Sequence, residues 1–228
     1  MTTVIEPAIG AGNFTRIAGA CGLGFAAVIV LANVPLQLAG MPLTATDPAA
    51  TLGFVTSGAP MIRLSAAIAP LGWLLSTFFA VGVVTVVRKA EWRRRDGWSV
   101  LGLAGVLLQN ATFTLVVAGR LATVTAGSEP AVLGLWALQD AVFVLNGTFL
   151  GLALIGLSVA GLRSGLTGRV HTALGLLAAL LQLASAVILP ALVDNPSRPG
   201  FLGLIGWLLW VAWLIWYGST LLRHHPEP

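Results

Sequence analysis

Charged side chains are scarce in this sequence. Only 9% of its 228 residues are Asp, Glu, Lys or Arg, and 57% are hydrophobic, whereas about 25% charged residues are usual in a soluble domain. So few charges cannot cover a water-facing surface, which excludes an ordinary soluble protein. The length suits one compact bundle. We therefore predict an all-α, polytopic transmembrane bundle that forms a single domain over residues 1–228.

Ligands for metals and redox groups are also few. Cys21 is the single cysteine, which excludes an intramolecular disulfide and a cysteine metal cluster. Of the three histidines, His224 and His225 lie in the tail, so a pair of membrane haem ligands is not expected. The sequence has no HExxH, Walker A or dinucleotide-binding glycine motif. These absences predict no metal, no cofactor and no catalytic residues.

Six apolar runs are long enough to cross a bilayer. The first begins too late and continues too far for a cleavable signal, so we expect it to be a retained span. Between the first two runs, Asp47 followed by Pro48 is typical of a helix start and predicts a short interfacial helix. The predicted spans are residues 17–39, 60–87, 99–125, 130–160, 170–193 and 200–222.

The basic residues follow the pattern of membrane topology, not that of nucleic-acid binding. Five of the 12 Lys and Arg residues fall in the short segment from Arg88 to Trp98, which predicts a cytoplasmic loop. With six spans, nine cations fall on that side and only Arg63, Arg120 and Arg198 on the other. We therefore predict an integral membrane protein with both termini in the cytoplasm. We expect the bilayer as its environment and no nucleic-acid partner.

A carboxylate inside the fourth run, Asp140, is the most unusual feature of the sequence. A helix starting near Pro130 would place it roughly 15 Å below the outer surface, near the midplane. Inserting a carboxylate there costs about 2.5 to 3.5 kcal/mol, so such residues normally face the bundle interior. The spacing of Asp140, Gly147 and Gly151 predicts a face that closely contacts another helix.

Arg120 is the predicted partner of Asp140, because the third run must lie antiparallel beside the fourth. Arg63, near the start of the second run, is a third candidate at a similar level. Two alternatives to a ligand-binding role stay open. Asp140 and Arg120 form a structural ion pair while Arg63 extends to the membrane interface, or Asp140 is protonated and unpaired.

Further polar residues and prolines occur near the same half of the membrane, and together they predict a polar vestibule open to the outside. Each of these features is common in membrane helices. The predicted lining residues are Asn33, Gln37, Asn110, Asn146 and Gln182.

Two other patterns favour packing over chemistry. Gly156-Leu157-Ser158-Val159 resembles the nucleophile motif of intramembrane serine proteases, with His171 as the nearest base, but no oxyanion donors can be identified. The last run carries tryptophans at intervals of three, and we expect them to face lipid or pack against neighbours. They are Trp207, Trp210, Trp213 and Trp216.

Several segments resemble an uncharacterised family of six-span bacterial integral membrane proteins that is frequent in actinobacteria and known as a domain of unknown function. The resemblance implies a six-helix bundle in a bacterial cytoplasmic (inner) membrane, and it supplies no activity and no catalytic residues. The segments that carry it are RIAG from Arg16, DPAAT from Asp47, MIRLS with Arg63, and the later AGLRSGL and LGLLAALLQ with the Trp-rich last span.

Three hypotheses for function follow. The first is binding or transport of a small molecule, lipid or ion through the outward-facing vestibule, with Asp140, Arg120 and Arg63 as anchors. The alternative is a structural or regulatory membrane subunit whose glycine faces dock helices of a membrane-protein partner. An intramembrane enzyme is the third hypothesis, and the absence of a recognisable nucleophile or metal set disfavours it.

Overall fold

The described part of the chain is helical throughout. A computed structural model describes the backbone of residues 11–42, 47–191 and 200–224, and no strand occurs within these ranges. In chain order the helices are α1 (Ala11–Leu38), α2 (Pro48–Ser57), α3 (Ala59–Arg94), α4 (Trp98–Thr125), α5 (Glu129–Ser164), α6 (Arg169–Ala191) and α7 (Gly200–Arg223).

Every helix except α2 is long and apolar enough to cross a membrane, and the chain is a multipass membrane protein. The predicted fold class is confirmed. One boundary was wrong in an informative way, since the predicted loop after residue 87 is mostly helix. α3 continues through the basic segment to Arg94, and Arg95, at φ 56°, ends it in the left-handed region.

The short helix α2 begins as the sequence predicts. The Asp47 side chain accepts a hydrogen bond from the backbone N–H of Ala50 at 3.0 Å, and Pro48 opens the helix. α2 lies against one end of the bundle, which we call the α2 end. There Phe54 meets Trp136 edge to face at 5.5 Å between ring centroids. The surrounding apolar cluster contains Leu36, Phe54, Val55, Ile62, Val132 and Trp136.

The six long helices form a closed ring of neighbours. The order of packing is α1, α3, α4, α5, α6 and α7, and α7 returns to α1. Opposite the α2 end lies the basic end, which carries the α3–α4 turn, the α5–α6 turn and the last residue of α7. Between the two ends, α3 also contacts α5 across the ring.

Glycines set the closest helix contacts. A Cβ atom on Gly156 of α5 would lie 2.7 Å from the Trp98 carbonyl oxygen of α4, and one on Gly105 would lie 2.8 Å from the Ala153 Cα atom. On the other side of α5, Gly147 and Gly151 pack against Gln182 and Leu183 of α6, as their spacing predicts. Small residues at such crossings let helix backbones approach closely in a membrane.

Aromatic rings from α3 and α7 fill much of the core. Phe79 meets Trp213 and Tyr217 edge to face at 6.2 and 5.5 Å. Trp210 and Trp213 are buried, whereas Trp216 is 47% exposed. The tryptophans of α7 are therefore divided between core and surface, because a spacing of three drifts around a helix of 3.6 residues per turn.

Candidate functional site

A buried arginine joins α4 to α5 near the α2 end. Arg120 is only 6% exposed, and its Nε donates to Oε1 of Gln139 at 2.9 Å. Its guanidinium carbon lies 5.5 Å from the centroid of the Phe143 ring, within the range of a cation–π contact. Gly119 lets α4 and α5 approach closely at this level, because a Cβ atom on it would lie 2.9 Å from the Cβ of Gln139.

The carboxylate of Asp140 belongs to the same place. Asp140 is half-buried, directly follows Gln139, and is close enough for its charge to act favourably on the Arg120 guanidinium. The structure therefore brings Arg120 and Asp140 together, as the antiparallel arrangement predicts. Their direct ion pairing and the depth of Asp140 in the bilayer stay predictions.

The partner that the sequence reasoning missed is Gln139. A usable signal existed, because residues related by the antiparallel α4–α5 hairpin have nearly constant index sums. Gly105 faces Ala153 and Gly119 faces Gln139, so Arg120 must lie beside residues 138 to 140. A glutamine at that level is a natural acceptor for a buried guanidinium, which carries five N–H donors.

Arg63 and the polar residues at the end of α1 are placed differently. Arg63 and Gln37 are exposed, and in the described part of the chain no contact joins Arg63 to Arg120. Asn33 is half-buried and turns back to its own helix, where Nδ2 donates to the Ile29 carbonyl oxygen at 2.9 Å. These three residues belong to helices that end or begin near the α2 end, and their part in a site with Arg120 stays a prediction.

Asn110 ties α4 to α3. Its Nδ2 donates to Ser76 Oγ at 2.9 Å and approaches Thr77 Oγ1 and the Trp73 carbonyl oxygen at 3.3 Å, and its Oδ1 accepts from Ser76 at 3.1 Å. Such a set of interhelical bonds is what a buried amide needs. We interpret Asn110 as a packing residue, and its predicted place in a ligand vestibule is not supported by these contacts.

Gln182 and Asn146 lie on either side of the α5–α6 contact. Gln182 donates from Nε2 to the Gly203 carbonyl oxygen of α7 at 3.3 Å, so it also links two helices. Asn146 is 6% exposed, and its Oδ1 has no hydrogen-bond partner within the described residues. Of the predicted lining residues, Asn146 is thus the one whose buried side chain keeps an open acceptor.

A small cavity of about 20 Å³ lies at the centre of the bundle. Ser76 and Gln109 give it two polar walls, and rings such as Phe79, Trp210 and Trp213 give it apolar ones. About 10 to 15 Å³ is enough for one water molecule. The cavity therefore has room for a single water and not for an organic substrate.

Ser158 and His171 lie near the same side chain, Trp213, and both are sealed inside the protein. They are 0% and 1% exposed. The His171 ring stacks on the Trp213 ring at 5.4 Å between centroids. Ser158 Oγ and the indole nitrogen of Trp213 both lie against Gly175. His171 Nε2 donates to the Trp213 carbonyl oxygen at 3.2 Å. A serine nucleophile must be reached by its substrate, so this geometry does not favour a hydrolase.

The basic end has its own polar contacts, which sequence reasoning also missed. Glu91 of α3 is buried and caps α4, accepting hydrogen bonds from the Ser99 backbone N–H at 2.7 Å and from the Ser99 hydroxyl. Asp96, in the α3–α4 turn, forms an ion pair with Arg163 of α5 at 2.8 Å. These contacts fasten the α3–α4 turn to the bundle.

Comparison of the chain with models of protein families, with characterised proteins and with solved structures finds no match.

Proposed function

We propose that this multipass membrane protein binds a small anionic molecule, lipid headgroup or ion at the α2 end of the α4–α5 pair. Arg120 is the proposed anchor for the ligand, and Asp140 sets the charge balance of the site. Arg63 is the proposed third anchor, at the exposed rim. We also propose that the chain belongs to the six-span family it resembles and lies in a bacterial inner membrane.

The observation that carries the proposal is a buried guanidinium whose planar face is covered by a partly exposed aromatic ring. Arg120 is 6% exposed and donates from Nε to Gln139, and its five donors lie in one planar fork. Phe143 is 42% exposed and covers one face of that group. A planar fork with a fixed face suits a carboxylate or phosphate better than a spherical ion.

Thermal unfolding of the purified chain in detergent tests the proposal. The probes are acetate, succinate, inorganic phosphate and a phosphatidylglycerol of short chain length, each titrated separately. Ligand at 100 times its dissociation constant should stabilise the fold by about 2.7 kcal/mol, which would raise the unfolding midpoint. Arg120→Lys keeps the charge but loses the fork, and it should abolish the response.

Arg94→Lys is the matched control, because it makes the same exchange at the basic end on an exposed residue. It should respond to the probes as the natural protein does. If no probe shifts the midpoint, or if Arg120→Lys still responds fully, the proposal is wrong. A probe that binds can then be assayed for flux into proteoliposomes, which would extend binding to transport.

A structural role is the second candidate, and the position of Arg120 favours it. The Arg120–Gln139 bond lies where Gly119 brings α4 against α5, so the polar contact could serve only to fix the register of the two helices. Docking of partner helices on glycine faces has less support. Within the described spans, glycines such as Gly19, Gly82 and Gly102 already contact the chain's own helices.

A further inference from the structure

The last turns of α3 carry an open basic surface that the site above does not use. Arg88, Lys89, Trp92 and Arg93 line a shallow, open groove of about 400 Å³, which we call the basic groove. All four residues are exposed, and Trp92 is 79% exposed. On a helix, positions 88, 89, 92 and 93 share one face, so the groove is a property of the helical extension beyond the predicted span.

The groove faces sideways, away from the bundle. Val87 and Glu91, on the opposite face of the same turns, are 0% and 6% exposed and hold α3 against its neighbours. α3 has 36 residues and is about 54 Å long, whereas the hydrocarbon core is about 30 Å thick. The basic turns therefore extend past the core to the depth of the lipid headgroups.

The chemistry of the groove matches a phosphate ester bearing acyl chains. Arg88 and Arg93 offer planar forks that suit phosphate oxygens, and Lys89 adds a point charge. Indole rings prefer the membrane–water interface, where one edge is apolar and the other is wet. No acid lines the groove, and the nearby carboxylate of Glu91 is already bound to Ser99 on the far side.

We propose that the basic groove binds the headgroup of an anionic phospholipid from the adjacent leaflet. Trp92 would lie beside the glycerol region, and the three cations would contact the phosphate. This site is independent of Arg120, since it lies at the other end of the bundle.

The test is retention of phosphatidylglycerol by the full chain, counted by native mass spectrometry from micelles containing equal phosphatidylglycerol and phosphatidylcholine. Each cation near an anionic surface is expected to contribute about a five-fold increase in affinity at low salt. The triple variant Arg88→Gln, Lys89→Gln and Arg93→Gln should therefore weaken the most tightly held lipid roughly a hundredfold. Phosphatidylcholine retention should not change.

A second triple variant, Arg94→Gln, Arg169→Gln and Arg223→Gln, is the matched control. It removes the same charge from exposed positions at the same end of the bundle and should leave retention unchanged. Equal losses in both triple variants would show diffuse attraction in place of a site, and no loss in either would show that the groove holds no lipid. Either result would overturn the proposal.

Trp92→Leu provides a second reading that keeps every charge. It should lower phosphatidylglycerol retention several-fold, and millimolar inorganic phosphate should not displace the lipid from the natural protein. Displacement by phosphate would identify the groove as a site for free anions and would contradict the lipid assignment.

Discussion

The two ends of the α4–α5 pair hold the same helices together by different means. Toward the basic end, Gly102, Gly105 and Gly156 bring the two backbones into direct contact. Toward the α2 end, the link is polar, from Arg120 to Gln139, over the single glycine Gly119. Lipid supplies no hydrophobic force between helices, so close packing and interhelical hydrogen bonds are the available means of association.

The comparison shows where this fold can tolerate chemistry. Backbone contact at the basic end is sensitive to one added methyl group, because the facing helix occupies the space. The polar contact at the α2 end places a buried guanidinium near a half-buried carboxylate. We infer that backbone contact at the basic end fixes how α4 packs on α5, and that the polar α2 end is the part of this helix pair that can carry the proposed anion site.

The largest effect should come from breaking the backbone contact. Gly156→Ala places a Cβ atom 2.7 Å from the Trp98 carbonyl oxygen and closer still to the backbone of Gly102. Overpacking of this kind typically costs 1 to 3 kcal/mol. We expect the free energy of unfolding, measured by SDS titration in mixed micelles, to fall by about 2 to 3 kcal/mol.

Gly134→Ala on the same helix is the control. Nothing lies within 4 Å of its added Cβ atom, and alanine is the better helix former by about 1 kcal/mol. This variant should be unchanged or slightly more stable. Equal destabilisation of the two variants would contradict the claim that α4–α5 contact, and not glycine as such, determines stability.

The polar link should contribute less. In a double-mutant cycle, Arg120→Met and Gln139→Leu each remove one partner, and the double variant removes both. Interhelical hydrogen bonds in membrane proteins average about 0.6 kcal/mol and reach about 1.7 kcal/mol. Because this donor is charged, we expect a coupling energy in the upper part of that range, about 1 to 1.5 kcal/mol, from unfolding titrations of all four proteins.

A coupling energy near zero would show that the Arg120–Gln139 bond adds nothing to the α4–α5 contact. In that case the structural candidate for Arg120 would lose its basis. The anion-binding proposal would be unaffected, since it depends on ligand response and not on stability.

The cap at the start of α4 should show a smaller effect. Glu91→Gln keeps the shape of the side chain but removes the charge that faces the helix N-terminus through Ser99. A charge of this kind contributes about 0.3 to 1 kcal/mol. Glu129→Gln, in the exposed first turn of α5, is the matched control and should cost less. A larger loss at Glu129 would contradict the assigned role of Glu91.

Composition and run length were enough to predict the membrane bundle, because hydropathy reports burial in lipid directly. They missed the helical extension of α3 to Arg94, since hydropathy detects the apolar core and not where a helix ends. The pair of hydrogen bonds between Asn110 and Ser76 also could not be predicted from the sequence. Which helix lies beside α4 on that face is a property of the closed ring and not of local sequence.

The candidate site was also predictable in part. Arg120 and Asp140 flank one hairpin, so their levels follow from counting residues along two antiparallel helices. The scatter of Asn33, Gln37, Asn110 and Gln182 among separate contacts was not predictable, because polar residues at one depth can face different neighbours. Depth follows from the sequence, whereas facing direction requires the packed structure.

The smallest effect on global unfolding should come from the start of α2, which lies at the edge of the α2 end. Asp47→Ala removes the acceptor for the Ala50 N–H, a loss that typically costs about 1 kcal/mol of helix stability. Because α2 is short and packs at the bundle's end, we expect faster amide hydrogen exchange in α2 with little change in global unfolding. Asp47→Asn keeps a capping oxygen and should preserve slow exchange. If the alanine variant lowers global stability as much as Gly156→Ala does, then α2 belongs to the determinant of the fold, and the division between the two ends is wrong.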